Sequence, residues 1–266
     1  MGQYDEAINR FATLLSMEKA SFNISTLEKY CNARAKKCVA DYLKNGKSSQ
    51  KYVSEINGVI ADLNALLKIG ATSERYNLLG SAVKRKVILC KTKPEKLKLL
   101  SQAAFYYHKA YSMHPDQVYS VSNWLEMEGI LELAGHHKWS GKVGTGNNSY
   151  ILPSLEDVED QLSKLSEKLQ RATVNRMDYW DMVALANLKL CQAMLNNSVE
   201  KTKALWQEAL EIYRQTWAKA GSKGKRVAEK EHLELLADAL SIIKKPNAVE
   251  LRKNIEKLKE ELEKLI

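Results

Sequence analysis

Apolar residues recur along almost the whole chain at the three- and four-residue spacing of an amphipathic helix, as in Ile56, Val59, Ile60, Leu63, Leu66 and Leu67. No alternation of period two is sustained anywhere, so the pattern predicts an all-α chain. It is interrupted at Lys44-Asn-Gly-Lys-Ser-Ser, Ile69-Gly-Ala-Thr-Ser, Lys93-Pro94, His114-Pro-Asp, Gly135 to Ser154, Asn196-Asn-Ser, Gly221-Ser-Lys-Gly and Lys245-Pro-Asn. Glycine, proline and short polar residues end helices at such places. About ten helices of roughly 15 to 24 residues result, joined by mostly short connections that make neighbours antiparallel. The last of them carries Ala248, Leu251, Ile255, Leu258, Leu262 and Leu265 as a heptad seam flanked by Lys and Glu. It is expected to form a capping helix over 246–266 that docks on the preceding helix, with pairing to another chain as the alternative.

Short motifs return within this pattern. Gly2-x-Tyr4-x-x-Ala7-Ile8-x-x-Phe11-x-x-Leu14-Leu15 resembles the second helix of a tetratricopeptide repeat, with small Ala7 admitting the partner helix and Phe11 filling the groove beyond it. Ala103-x-x-x-Tyr107-x-x-Ala110-Tyr111-x-x-x-Pro115 is a clearer copy, and its preceding helix contains Tyr76-x-x-Leu79-Gly80-x-x-Val83. A degenerate third copy is Ala209-x-x-x-Tyr213 with Trp217, paired with the helix around Trp180. The distance from Gly80 to Ala103 exceeds that of a standard ~34-residue repeat, so the helices are lengthened. The resemblance implies a tetratricopeptide-like right-handed superhelix of antiparallel helix pairs over 1–245, elongated, with close helix contacts at Ala7, Gly80, Ala103 and Ala110. Gly2 stands at the turn of a repeat, so the chain is expected to open halfway through a unit, cut from or evolved beside a longer polypeptide.

Larger segments are similar to the tetratricopeptide-like helical region of bacterial conflict and signalling proteins, the type found beside CHAT caspase-like proteases, with a related module in the apoptosis-signal-regulating kinases. These are Glu74-Arg-Tyr-Asn-Leu-Leu-Gly-Ser-Ala-Val-Lys-Arg-Lys86, Ala103 to Pro115 running on to Asn123-Trp124-Leu125, Asp178-Tyr-Trp180 to Asn187-Leu188, and Tyr213 to Ser222 with Glu231-His232-Leu233. Val83 and Asn187 stand where that group is expected to carry tyrosine and aspartate. The resemblance implies a sensor or adaptor that binds a protein partner, with the chemistry on a separate effector such as a caspase-like protease.

Composition narrows the picture. The 266 residues include 41 Lys and Arg against 32 Asp and Glu, a formal charge of +9, and 45% hydrophobic residues, enough for one or two cores. Gly at 12 and Pro at 4 are few, in keeping with long helices. No stretch approaches the ~20 apolar residues of a membrane span and the opening residues lack signal-peptide regions, so a cytoplasmic protein without membrane contact is expected. Cys31, Cys38, Cys90 and Cys191 form no Cys-x-x-Cys pair and read as structural thiols. Lysines and arginines cluster at Lys84, Arg85, Lys86, Lys91, Lys93, Lys96 and Lys98, and again at Lys219, Lys223, Lys225, Arg226 and Lys230. A solvated face explains such runs. The alternative function, a nucleotide- or nucleic-acid-binding helical domain, would use the cluster from Lys84 to Lys98.

For a protein partner, the side chains singled out are Arg75, Arg85, Tyr106, His108, Tyr119 and Asn123, on or beside the most repeat-like helix pair, whereas Tyr107, Tyr111 and Trp124 read as packing. The long loop, Gly135 to Ser154, holds His136, His137 and Trp139 with Gly141-Lys-Val-Gly-Thr-Gly146. Its histidines have no partner at metal-ligand spacing and its glycines lack the Lys-Ser or Lys-Thr of a phosphate loop, so its composition predicts disorder and neither metal nor cofactor. With no Ser, His and Asp arrangement or paired carboxylates to single out, the chain is read as not an enzyme.

Overall fold

The computed structural model describes residues 2–17, 23–45, 49–146, 149–175, 178–196, 199–219 and 222–264. Among them are eleven helices: α1 Gly2–Leu15, α2 Ile24–Asn45, α3 Ser49–Ile69, α4 Ser73–Leu89, α5 Lys93–Met113, α6 Val118–Leu133, α7 Leu155–Asn175, α8 Tyr179–Leu195, α9 Val199–Lys219, α10 Lys223–Leu240 and α11 Pro246–Glu263. Two short strands, β1 Lys142–Val143 and β2 Tyr150–Ile151, complete the described elements. The fold is all-α and of the tetratricopeptide-like kind. The chain divides into two compact units, Met1–His114 and Pro115–Ile266, where the sequence suggested one solenoid over 1–245.

In the first unit each helix packs on its successor from α1 to α5, and α2 also packs on α4. Contacts to the next helix and the next but one are what stacked hairpins produce. Local chemistry sets where the helices begin. Thr72 accepts the Arg75 N–H to cap α4, and Thr92 accepts the Glu95 N–H while donating to its carboxylate at the start of α5 beside Pro94. The apolar stripe Ile56, Val59, Leu63 and Leu66 of α3 meets Cys31, Ala35 and Cys38 of α2 and Leu78, Leu79 and Ala82 of α4 in one core.

At the heart of the α4·α5 pair, a Cβ built on Gly80 would lie 3.0 to 3.1 Å from atoms of the fully buried Tyr107 ring. Glycine is what lets the two helices close, and Ala103 and Ala110 are buried as expected, while Ala7 is half-buried. Gly80→Val should destabilise the protein by about 1–3 kcal/mol through overpacking, read from the denaturant midpoint of far-UV circular dichroism. An unchanged midpoint would mean that the pair has slack at this contact.

The second unit packs α7 on α8, α8 on α9 and α10 on α11, with α6 against α8 and α9 against α11 as next-but-one contacts. Gly129 is the small residue of the α6·α8 contact, where a Cβ would fall 2.7 Å from Leu195 Cδ2. Ala209, Tyr213 and Trp217 are fully buried on α9. The heptad positions Ala248, Leu251, Ile255, Leu258 and Leu262 are buried on α11, which docks on α10 and α9; Leu265 lies outside the described residues. Ion pairs from Lys230 to Glu263 at 2.7 Å and from Arg214 to Glu261 tie it down.

The long loop departs from expectation. Instead of disorder, β1 pairs antiparallel with β2, the Leu152 N–H donates to Gly141 O at 2.9 Å, and Leu152 is 1% exposed. Asn147 and Asn148 lie outside the described residues. The polar and glycine content serves turns, with positive φ at Gly135, Ser140, Gly144 and Gly146, while Tyr150 and Leu152 supply the anchors that composition alone underweights.

Candidate functional site

The face assigned to a partner from sequence is only partly a surface. Arg75 is buried: its Nε donates to Glu28 Oε1 at 2.8 Å, and its Nη1 donates to Leu66 O at 3.3 Å and to Gly70 O. The guanidinium ties α4 to α2 and to the end of α3, and burial removes it from any docking role. Tyr106 and His108 stand two residues apart on α5, on opposite sides of a 3.6-residue helix. Tyr106 packs against the α2, α3 and α4 core, and half-buried His108 turns toward Tyr111 with ring centroids 6.2 Å apart. Arg85 is half-buried, its Nη1 donating to the Ser81 hydroxyl one turn back.

The basic cluster is likewise divided. Lys84 and Lys96 are buried, with Lys84 Nζ 5.8 Å from the Tyr107 ring centroid. Lys86 is half-buried, and Lys91, Lys93 and Lys98 are exposed. Ser73, Asn77, Ser81 and Lys84 form a buried polar row along one face of α4, and Ser73 Oγ donates to Ala110 O of α5 at 3.3 Å. Helical periodicity marks these polar positions as outward, yet neighbouring helices cover them.

On α6, Tyr119 is 48% exposed, whereas Asn123 is buried and donates to Tyr119 O at 2.8 Å within its own helix. Asn123 is thereby withdrawn from the surface assigned to it. Trp124 is buried, as expected of a packing residue. The same helix carries the polar groups that sequence reasoning passed over. Glu126 and Glu128, both at most 1% exposed, interrupt the apolar run from Trp124 to Leu131. Two acids two residues apart inside an otherwise apolar helix were the available signal.

Glu128 holds the loop. Tyr150 Oη donates to Glu128 Oε1, His137 Nε2 lies 2.6 Å from Glu128 Oε2, and the Tyr150 ring meets Trp124 edge-on at 6.2 Å. Burial raises the Tyr150 phenol far above its ordinary range and the Glu128 charge adds to this, so it stays a neutral donor. Glu126 points the other way, its Oε1 3.3 Å from His232 Nε2 of α10. Nearby, Tyr213 Oη of α9 donates to Asn187 Oδ1 of α8, and Asn187 Nδ2 donates to Glu229 Oε2 of α10 at 3.4 Å. Burial raises the Tyr213 phenol, and the charges of Glu229 and Glu126 push the same way.

Among the described residues no group of three or more His, Cys, Asp or Glu side chains is placed to hold a metal ion. Burial raises the Cys31 and Cys38 thiols to about 11 and lifts Cys191 as well. All three stay protonated at neutral pH and behave as small core residues.

Residues 3–128 match the model of the Tetratricopeptide Repeats-Sensor family, a span from the start of α1 into α6. This part of the chain is therefore a tetratricopeptide-like helical region of the repeat-based interaction or sensor kind. No curated protein and no solved structure matches the chain. No described helix is long and apolar enough to cross a membrane.

Proposed function

We propose that the protein is a non-catalytic interaction module, the sensing or docking part of a bacterial defence or stress-signalling system, acting in the cytoplasm with a separate effector such as a caspase-like protease. The observation that carries this reading is the match of residues 3–128 to a repeat-sensor family on a unit built from stacked helix hairpins. Stacked hairpins hold extended surfaces rigid for a partner. Half-buried Arg85 and His108 in the first unit are the proposed contacts.

The test is affinity capture of an effector from the source cells, followed by calorimetry with the purified pair. Arg85→Ala combined with His108→Ala should weaken the complex at least tenfold while the melting temperature stays unchanged. Raising salt from about 50 to 200 mM should change affinity by a small factor. A fall of about a thousandfold, with an oligonucleotide as the bound species, would instead identify phosphate binding by the exposed lysines and replace the protein-partner reading.

A further inference from the structure

Helix α11 is held in the second unit by one narrow apolar seam, Ala248, Leu251, Ile255, Leu258 and Leu262, whose first member is only a methyl group. Its other sides face water, with Val249, Glu250, Lys253 and Lys257 exposed. The helix is also poorly equipped to stand alone. Lys245 at its N-cap makes no side-chain capping bond, its first turn holds no acid and its last turn no base. Thr72 and Thr92 do cap α4 and α5. Such a helix draws its stability from packing, and a helix docked by one seam belongs to the part of a fold that opens first.

Glu260, Glu261 and Glu263 close α11 at the end where the helix dipole disfavours negative charge. What two of them meet accounts for their place. Arg214 of α9 pairs with Glu261, and Lys230 Nζ of α10 lies 2.7 Å from Glu263 Oε1. The hydrogen bond from Lys230 holds the Glu263 carboxyl below the usual carboxylate range. The side chains of Arg214 and Lys230 are 50% and 36% exposed, so the pairs are screened and add little to the grip on α11. They set its direction instead. The face formed by α9 and α10 therefore matches an apolar stripe that runs into a pair of acids, and α11 is its occupant within the chain.

We propose that α11 is an internal ligand, and that the α9 and α10 face takes in its place an amphipathic helix of a partner protein, with apolar residues at three- and four-residue spacing and two acids in its last turn. A helix laid apolar side down is a recurrent mode of recognition. Charge decides which helix fits: the acids meet Arg214 and Lys230, and a helix with basic residues there is repelled. Tethered to α10 by residues 241–245, α11 competes at a high effective concentration, so the partner binds tightly only where α11 is loosened. This inference goes beyond the interaction reading above, since it concerns the second unit and uses neither Arg85 nor His108.

A fluorescently labelled peptide with the sequence of residues 246–264 is the probe, titrated with the full purified chain and read by anisotropy. It should bind wild type weakly. Glu261→Lys with Glu263→Lys in the chain loosens α11 and leaves the face intact, and should tighten peptide binding about tenfold. Arg214→Glu with Lys230→Glu in the chain should abolish binding of this peptide, and a peptide carrying Glu261→Lys and Glu263→Lys should bind that chain instead. Misfolding cannot produce such a reversal. Failure of the peptide to bind the Glu261→Lys, Glu263→Lys chain, or binding indifferent to the sign of charge at positions 214 and 230, would overturn the docking face. A wild-type chain that dimerises with concentration in sedimentation, and thereby blocks the peptide, would assign the face to α11 of a second copy and overturn the partner helix. None of these outcomes depends on whether an effector is captured.

Discussion

Arg75→Ala is expected to lower the stability of the protein by about 3–5 kcal/mol, the cost of breaking a buried ion pair by removing one partner. The side chains of Arg75 and Glu28 are 9% and 14% exposed, so solvent screens the pair little. Alanine leaves the Glu28 carboxylate and the Leu66 and Gly70 carbonyls without their donor. Arg75→Met, which preserves volume but not charge, should also be strongly destabilised, and adding Glu28→Gln to it should restore a large part of the loss. A double-mutant cycle on denaturant midpoints measures this coupling. Additive effects of the two substitutions, or an alanine variant as stable as wild type, would show that Arg75 is not the tie between α4, α2 and the end of α3.

Trp124→Ala should cost about 3–5 kcal/mol, as truncation of a large core residue does. Its effect reaches beyond packing, because the indole is buried against the ring of Tyr150, whose hydroxyl donates to Glu128. Removing the indole withdraws support from both the α6 core and the docked loop. The expected observations are a lower denaturant midpoint and faster proteolytic cleavage within 135–154 under native conditions. Trp124→Phe, which keeps a ring but no N–H donor, should recover most of the stability. A Trp124→Ala variant with the wild-type midpoint would place the support of the loop elsewhere, in Leu152 and the His137 contact to Glu128.

The helices were legible in the sequence because a helix is a local object. The i, i+3, i+4 stripe of α3, the Thr72 and Thr92 caps and the proline breaks each act within a turn or two of chain. Local spacing also carried the approach of α4 and α5, since Gly80 and Tyr107 stand in matching repeat positions and the structure brings them into contact. The thiols read as core residues for the same reason: Cys31, Ala35 and Cys38 lie on one apolar face of α2. The seam of α11 was visible too, although only packing decided that it closes on α10 and α9.

Tertiary structure decided the fate of the charged and polar side chains. Arg75, Lys84, Lys96 and Asn123 all occupy positions that a single helix would show to water, and each is buried because other helices cover that side. The partner of Arg75 lies 47 residues away, and Glu126 meets a histidine on α10. Tyr179 and Lys225, far apart in the chain, meet only where α8 and α10 begin. Periodicity reports which residues share a face, but the burial of a charge is set by what stacks on that face and by whether it brings an opposite charge or a hydrogen-bond partner. That information resides in contacts between distant segments, which is why the helices of this protein can be read from its sequence and its polar interior only from its fold.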